Sequence, residues 1–141
     1  MSVKLTNEDL SVISLFQRMT DAQVEDCIIM ESDIVFLINS RDMGKAIGKK
    51  GINIKSASRV LRKNVIIVEH LQRVEDFLKN AFKRAEEKEI SEIKVIDKND
   101  KKVAVVKLGD AFGVKGKTLK ILKILLERHF NIADIEIKHR L

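Results

Sequence analysis

Two stretches of this chain share one register. Gly44–Gly51 reads Gly-Lys-Ala-Ile-Gly-Lys-Lys-Gly, and Gly109–Gly116 reads Gly-Asp-Ala-Phe-Gly-Val-Lys-Gly. Three glycines and an alanine recur 65 positions apart (Gly44 to Gly109), with an apolar residue before the second glycine and a lysine before the third. A glycine loop that occurs twice in 141 residues points to a duplicated unit of about 70 residues.

The surrounding pattern supports duplication. Thr6 reads as a helix N-cap with acidic residues in the first turn, and Leu10, Ile13 and Phe16 give that helix an apolar face ending near Thr20. Val24 to Glu31 and Ile34 to Asn39 read as strands joined at Ser32-Asp33; the second is apolar throughout, which predicts a central position in its sheet. A short helix over 42–47, the glycine break at 48–51, a helix to about Lys63 stopped by Asn64, and a strand over 65–69 follow. The order then repeats. Val74, Phe77, Leu78, Ala81 and Phe82 lie at helical spacing, and Ile90 to Asp97 alternates as a half-buried strand does. A strand over 103–108, a short helix over 110–112, the break at 113–116, a long helix over 117–130 and a strand over 132–138 complete the set.

The fold expected is α+β, in two domains over 1–71 and 72–141. Only Leu71 and Gln72 lie between the last strand of one half and the first helix of the next, and proline is absent, so a stiff junction is expected. No apolar stretch is long enough to span a bilayer and no signal peptide is apparent at the N-terminus. The single cysteine, Cys27, fits a reducing cytoplasm, and in an apolar strand it reads as core. The three histidines are scattered, so no metal-ligand spacing and no catalytic arrangement is seen. Neither cofactor nor enzymatic activity is expected.

Charge is concentrated where the glycines are. Residues 41–63 hold eight Lys/Arg against Asp42 alone, a balance of +7, whereas the whole chain carries +6. Residues 107–128 hold six basic residues against Asp110 and Glu127, a balance of +4. A polyanion is steered toward such patches. The loops explain how it would be held. Glycine removes the Cβ that keeps a ligand backbone away, and the helix after the loop presents unpaired N–H groups and a partial positive charge.

This helix–Gly-x-x-Gly–helix arrangement resembles the KH domain, whose loop clamps about four nucleotides of a single strand. The resemblance rests on Ile47-Gly48-Lys49-Lys50-Gly51-Ile52 and on Phe112-Gly113-Val114-Lys115-Gly116-Lys117. The helix–strand–strand prefix is similar to the type II form, which implies two α-β-β-α-α-β domains, each a three-stranded sheet covered by helices. Two such domains with almost no linker resemble the tandem KH module of the NusA transcription factors. Nothing in the chain corresponds to the polymerase-binding and S1 domains of bacterial NusA, so it resembles the short, KH-only form expected in archaea.

The resemblance implies a single-stranded RNA partner and a NusA-like role in transcription termination or antitermination, with RNA polymerase as a candidate protein partner, a monomeric state and no membrane. Lys49 and Lys50 would contact phosphates, Gly48 and Gly51 would admit the backbone, and Ile47, Ile52 and Ile54 would underlie the bases, with Lys55 and Arg59 on the rim. The second-half counterparts are Phe112, Gly113, Val114, Lys115, Gly116, Lys117 and Lys120. With valine at 114, the first loop is expected to be the stronger clamp. Two other readings stand beside this one. In the first, only the first half binds RNA and the second is a protein-interaction module, motivated by Val114 and the apolar run Leu119 to Leu126. In the second, Ala111 to Thr118, ending Gly-Lys-Thr, is a relaxed nucleotide-binding P-loop, for which the intervening short helix and the short second half are unsuited.

Overall fold

The computed structural model describes residues 4–109 and 113–139. The chain divides into two compact units between Leu71 and Gln72.

The first unit begins with α1 (Asn7–Thr20). Its start is a reciprocal capping box: the Asp9 N–H donates to Thr6 Oγ1 at 3.1 Å and the Thr6 N–H donates to the Asp9 carboxylate at 2.9 Å. Ile13 and Phe16 are buried, but Leu10 is 51% exposed and lies outside the apolar face expected for it. β1 (Val24–Ile29) and β2 (Asp33–Asn39) pair antiparallel, and β3 (Asn64–His70) joins β2 in parallel from Asp33↔Asn64 to Asn39↔His70. β2 is thus the central strand, and it is buried from Asp33 to Ile38. Between β2 and β3 run a 3-10 turn (Ser40–Asp42), α2 (Met43–Ile47), the glycine loop with its own 3-10 turn (Lys49–Gly51) and α3 (Ile52–Leu61). The Phe16 and Phe36 rings stack with centroids 4.2 Å apart at the centre of the core, which also holds Ile34, Ile38, Ala46, Ala57 and Val65. Burial of such side chains contributes roughly 1.5–3 kcal/mol each.

α3 ends at Leu61, two residues earlier than Asn64 suggested. Arg62 adopts the left-handed conformation (φ 57°, ψ 32°) that closes it, and Asn64 is already the first residue of β3, its amide donating to Asp33 Oδ1 at 2.9 Å. Asparagine here acts as a strand-end bracket rather than a helix stop.

The second unit repeats the topology: α4 (Val74–Arg84), β4 (Ile90–Lys98), β5 (Lys101–Leu108), α5 (Gly116–Phe130) and β6 (Asp134–His139), with β4 antiparallel and β6 parallel to the central β5. The short helix expected over 110–112 lies outside the described residues. Phe77 packs on Phe130 with centroids 4.9 Å apart, and α5 buries Ile121, Leu122, Leu125 and Leu126. β4 differs from expectation. It is an edge strand with Val95 and Ile96 exposed, so its alternation does not report burial. Each unit is α+β: the first shows the α-β-β-α-α-β order of a type II KH domain, and the described elements of the second follow the same order.

β6 carries the charges that couple this unit to pH. The Ile135 N–H donates to Asp134 Oδ1 at 2.8 Å, and with Lys123 nearby it holds the Asp134 carboxyl below its usual range. A 2.8 Å bond from the Lys98 ammonium lowers Glu136 in the same way and raises Lys98. A carboxylate lowered by folding stabilises the fold above its unfolded value of about 4 and stops doing so as pH falls through its folded value. The lysine's contribution is full below its unfolded value of about 10.4 and is lost as pH rises through its raised folded value. Thermal melts from pH 7 to 3 should therefore show an acid loss that is shallower in Glu136→Gln; superimposable acid limbs would discount the Lys98–Glu136 contact.

Candidate nucleic-acid interface

The first loop is held from beneath by small, specific contacts. Met43 and Ala46 anchor α2 in the core, and Ala57 anchors α3 in the same cluster. The Asp42 carboxylate accepts the Gln23 N–H at 2.8 Å, which ties the start of α2 to the α1–β1 connection. The Gly48 N–H closes α2 onto Gly44 O at 2.9 Å, and the Gly51 N–H returns to Gly48 O at 3.1 Å.

Both first-loop glycines need to be glycine, for different reasons. Gly48 has φ 76° and ψ 171°, and a Cβ there would lie 2.7 Å from Asn53 Cγ and 2.9 Å from Asn53 N. Gly51 has φ 74° with open space where a Cβ would point, so its requirement is conformational alone. Lys50 between them is also left-handed (φ 55°, ψ 29°), a conformation that costs a non-glycine residue on the order of 1 kcal/mol. Asn53 fills the space under the loop, its amide donating to Lys45 O at 2.7 Å. Sequence reading passed over Asn53; its only signal is a short amide five positions after a loop glycine.

The upper surface of this loop is open and cationic. Lys49 and Lys50 are exposed at its tip, and Lys55 and Arg59 are exposed on α3. None of these four side chains has a hydrogen bond or ion pair among the described residues. Other basic residues of the segment are engaged: Lys45 with Asp21 at 3.7 Å, Lys63 with Met30 O at 2.7 Å, and Arg41 with Asn39 Oδ1 at 3.2 Å. α3 starts without a side-chain cap, and its first N–H, that of Ile52, donates to Lys49 O within the loop. The apolar residues divide. Ile47 and Ile54 are half-buried against the core, whereas Ile52 is 58% exposed. Val60, 56% exposed on the same helix, was not anticipated and extends this mixed apolar and basic face.

The second loop is built differently. Gly113 and Gly116 have no positive φ, and a Cβ on either would meet nothing within 4 Å among the described residues. Val114 is half-buried, and Lys117 and Lys120 are exposed. Lys115 is tied down: its ammonium donates to Ala85 O at 2.7 Å and its backbone N–H to the Glu87 carboxylate at 3.2 Å. Phe112 lies outside the described residues. Among those described, no group of three His, Cys, Asp or Glu is placed to hold a metal ion, and no helix is long and apolar enough to cross a membrane.

Comparison with known proteins agrees with this architecture. A KH domain family model matches residues 12–75. The probable transcription termination protein NusA of Halobacterium salinarum is 30% identical, over 97% of this chain and 99% of its own length. Its namesake in Methanocaldococcus jannaschii is 30% identical, over 96% of this chain and 75% of its own. The crystal structure of APE1850 superposes with a TM-score of 0.81 at 30% identity, covering 95% of this chain and all of that one. With a type II topology in each unit and a relative matched end to end, the chain belongs to the NusA-like family of KH-domain proteins.

Proposed function

We propose that this chain binds single-stranded RNA through the loop Gly48–Gly51 and acts as a NusA-like transcription termination or antitermination factor. One observation carries the reading: Lys49 and Lys50, without side-chain partners, stand at the tip of a loop whose glycines are required by its backbone, directly before an uncapped helix. Phosphates would lie against Lys49, Lys50 and the Gly48 and Gly51 backbone. Bases would lie on Ile52 and the exposed parts of Ile47 and Ile54, with Lys55 and Arg59 on the rim. The relatives' printed names support the transcriptional role, and RNA polymerase is the protein partner we propose to test for it.

The test is an RNA titration across salt. Neutralising about four phosphates gives log K against log[salt] a slope of roughly −3 for a single strand. A slope near zero would remove the phosphate clamp.

A second reading, that RNA is held by the first unit alone, is favoured by the tethering of Lys115. The apolar run Leu119–Leu126 does not add to it, because Ile121, Leu122, Leu125 and Leu126 go into the unit's own core. On this reading the second-loop residues Gly113, Val114, Gly116, Lys117 and Lys120 take no RNA, whereas on the first they form the weaker groove.

A further inference from the structure

We propose that Glu87 keeps the second loop from taking a phosphate, its carboxylate standing where the anion would be held. This deepens the RNA-binding reading and rests on it.

The placement of Glu87 is set by the end of α4. Glu86 is left-handed (φ 57°), its N–H donates to Lys83 O at 3.1 Å, and the Glu87 N–H donates to Phe82 O at 2.9 Å. This pair of bonds is a Schellman turn, which fixes the residue after the left-handed one. The same helix end exposes the Ala85 carbonyl, which accepts the Lys115 ammonium at 2.7 Å. A cation at a helix C-terminus is favoured by the helix dipole. Lys115, the residue just before α5, is therefore gripped twice. Its side chain is held by the end of α4, and its N–H by the Glu87 carboxylate, whose two oxygens lie 3.2 and 3.4 Å away.

The result is an anion supplied by the chain itself beside the N-terminus of α5, where a phosphate would otherwise gain from the partial positive charge. A phosphate entering this loop must displace a carboxylate held by a fixed turn. The first unit has no equivalent. The end of α1 places Asp21 against Lys45 on α2, at 3.7 Å and well exposed, leaving Lys49 and Lys50 unpaired. The two loops share glycines, yet only the second has its leading lysine claimed from both ends.

The experiment uses the full chain and a fluorescein-labelled 20-nucleotide RNA pool of random sequence. In a Lys49→Asp, Lys50→Asp background, which silences the first loop, adding Glu87→Gln should raise affinity by about tenfold. It should also steepen the salt slope by about 0.7 for each phosphate newly neutralised. Adding Lys115→Ala should abolish the gain. Unchanged affinity and slope in Glu87→Gln, with an unchanged melting temperature, would overturn the proposal. If Glu87→Gln lowers the melting temperature, Glu87→Asp supplies the same reading: it keeps the charge but shortens the reach, and it too should raise affinity. The RNA-binding reading fails separately, if the Lys49→Asp, Lys50→Asp chain binds as well as wild type.

Discussion

Replacing Gly48 by alanine is expected to destabilise the first unit by about 3 kcal/mol, while the same change at Gly113 should stay within about 1 kcal/mol of neutral. The positions correspond in the repeat but not in geometry. At Gly48 the added Cβ meets Asn53 Cγ at 2.7 Å and its backbone N at 2.9 Å, in a conformation (φ 76°, ψ 171°) that L residues rarely adopt. The backbone atom cannot swing away as a side chain could, so relief requires α3 to shift against a core that holds Ala57. At Gly113 a Cβ meets open space and φ is not positive. There, alanine also narrows the unfolded ensemble, which favours folding by about 0.4–1 kcal/mol. Stability of about 0.05–0.15 kcal/mol per residue gives a 70-residue unit roughly 4–10 kcal/mol, so Gly48→Ala removes about a third or more of it. Amide exchange at Phe36 and Leu37, in the central strand, reports the first unit alone. Protection there should fall roughly a hundredfold in Gly48→Ala and be unchanged in Gly113→Ala. Equal protection in both variants would mean that the first loop does not depend on its glycine.

The second large effect falls on binding. Lys49→Asp with Lys50→Asp should weaken single-stranded RNA binding about a hundredfold at 0.15 M salt and bring the salt slope from roughly −3 to about −1.5. Both side chains are exposed and make no contacts that folding would miss, so the melting temperature should be preserved. Val114→Asp with Lys115→Asp should cost less than about threefold, because the Lys115 ammonium is bonded to Ala85 O. Equal losses from the two pairs would restore the picture of two working grooves.

Much of the fold could be read from local chemistry. The capping box at Thr6 and Asp9 is a contact between residues three apart, and the unbroken apolar run Ile34–Ile38 forms a central strand because both of its edges are paired. The glycine loops marked the candidate site for the same local reason. What escaped depends on neighbours distant in sequence. Leu10 sits at helical spacing yet faces outward, and Val95 and Ile96 lie on an edge strand; periodicity records a face, not what covers it. Asn53 matters only once Gly48 turns onto it. Val114 was the sequence's reason to expect unequal loops; the geometric difference the structure shows lies instead in the contact of Lys115 with Glu87, a residue 28 positions upstream that the motif does not include.

The parallel pairing of β2 with β3 has a consequence for timing. Its register, from Asp33↔Asn64 to Asn39↔His70, encloses α2, the first glycine loop and α3. The loop is bracketed by a closure of about 30 residues, and such long-range closures come late because their entropy must be spent before their contacts form. During synthesis, a chain that has not yet emerged through His70 lacks β3, and with it the Val65 N–H that donates to Ser58 Oγ on α3 at 3.1 Å. The exposed basic face around the loop is therefore acquired by the first unit as a whole and at once. A nascent chain that already displays the glycines still lacks the folded loop until the last strand is in place.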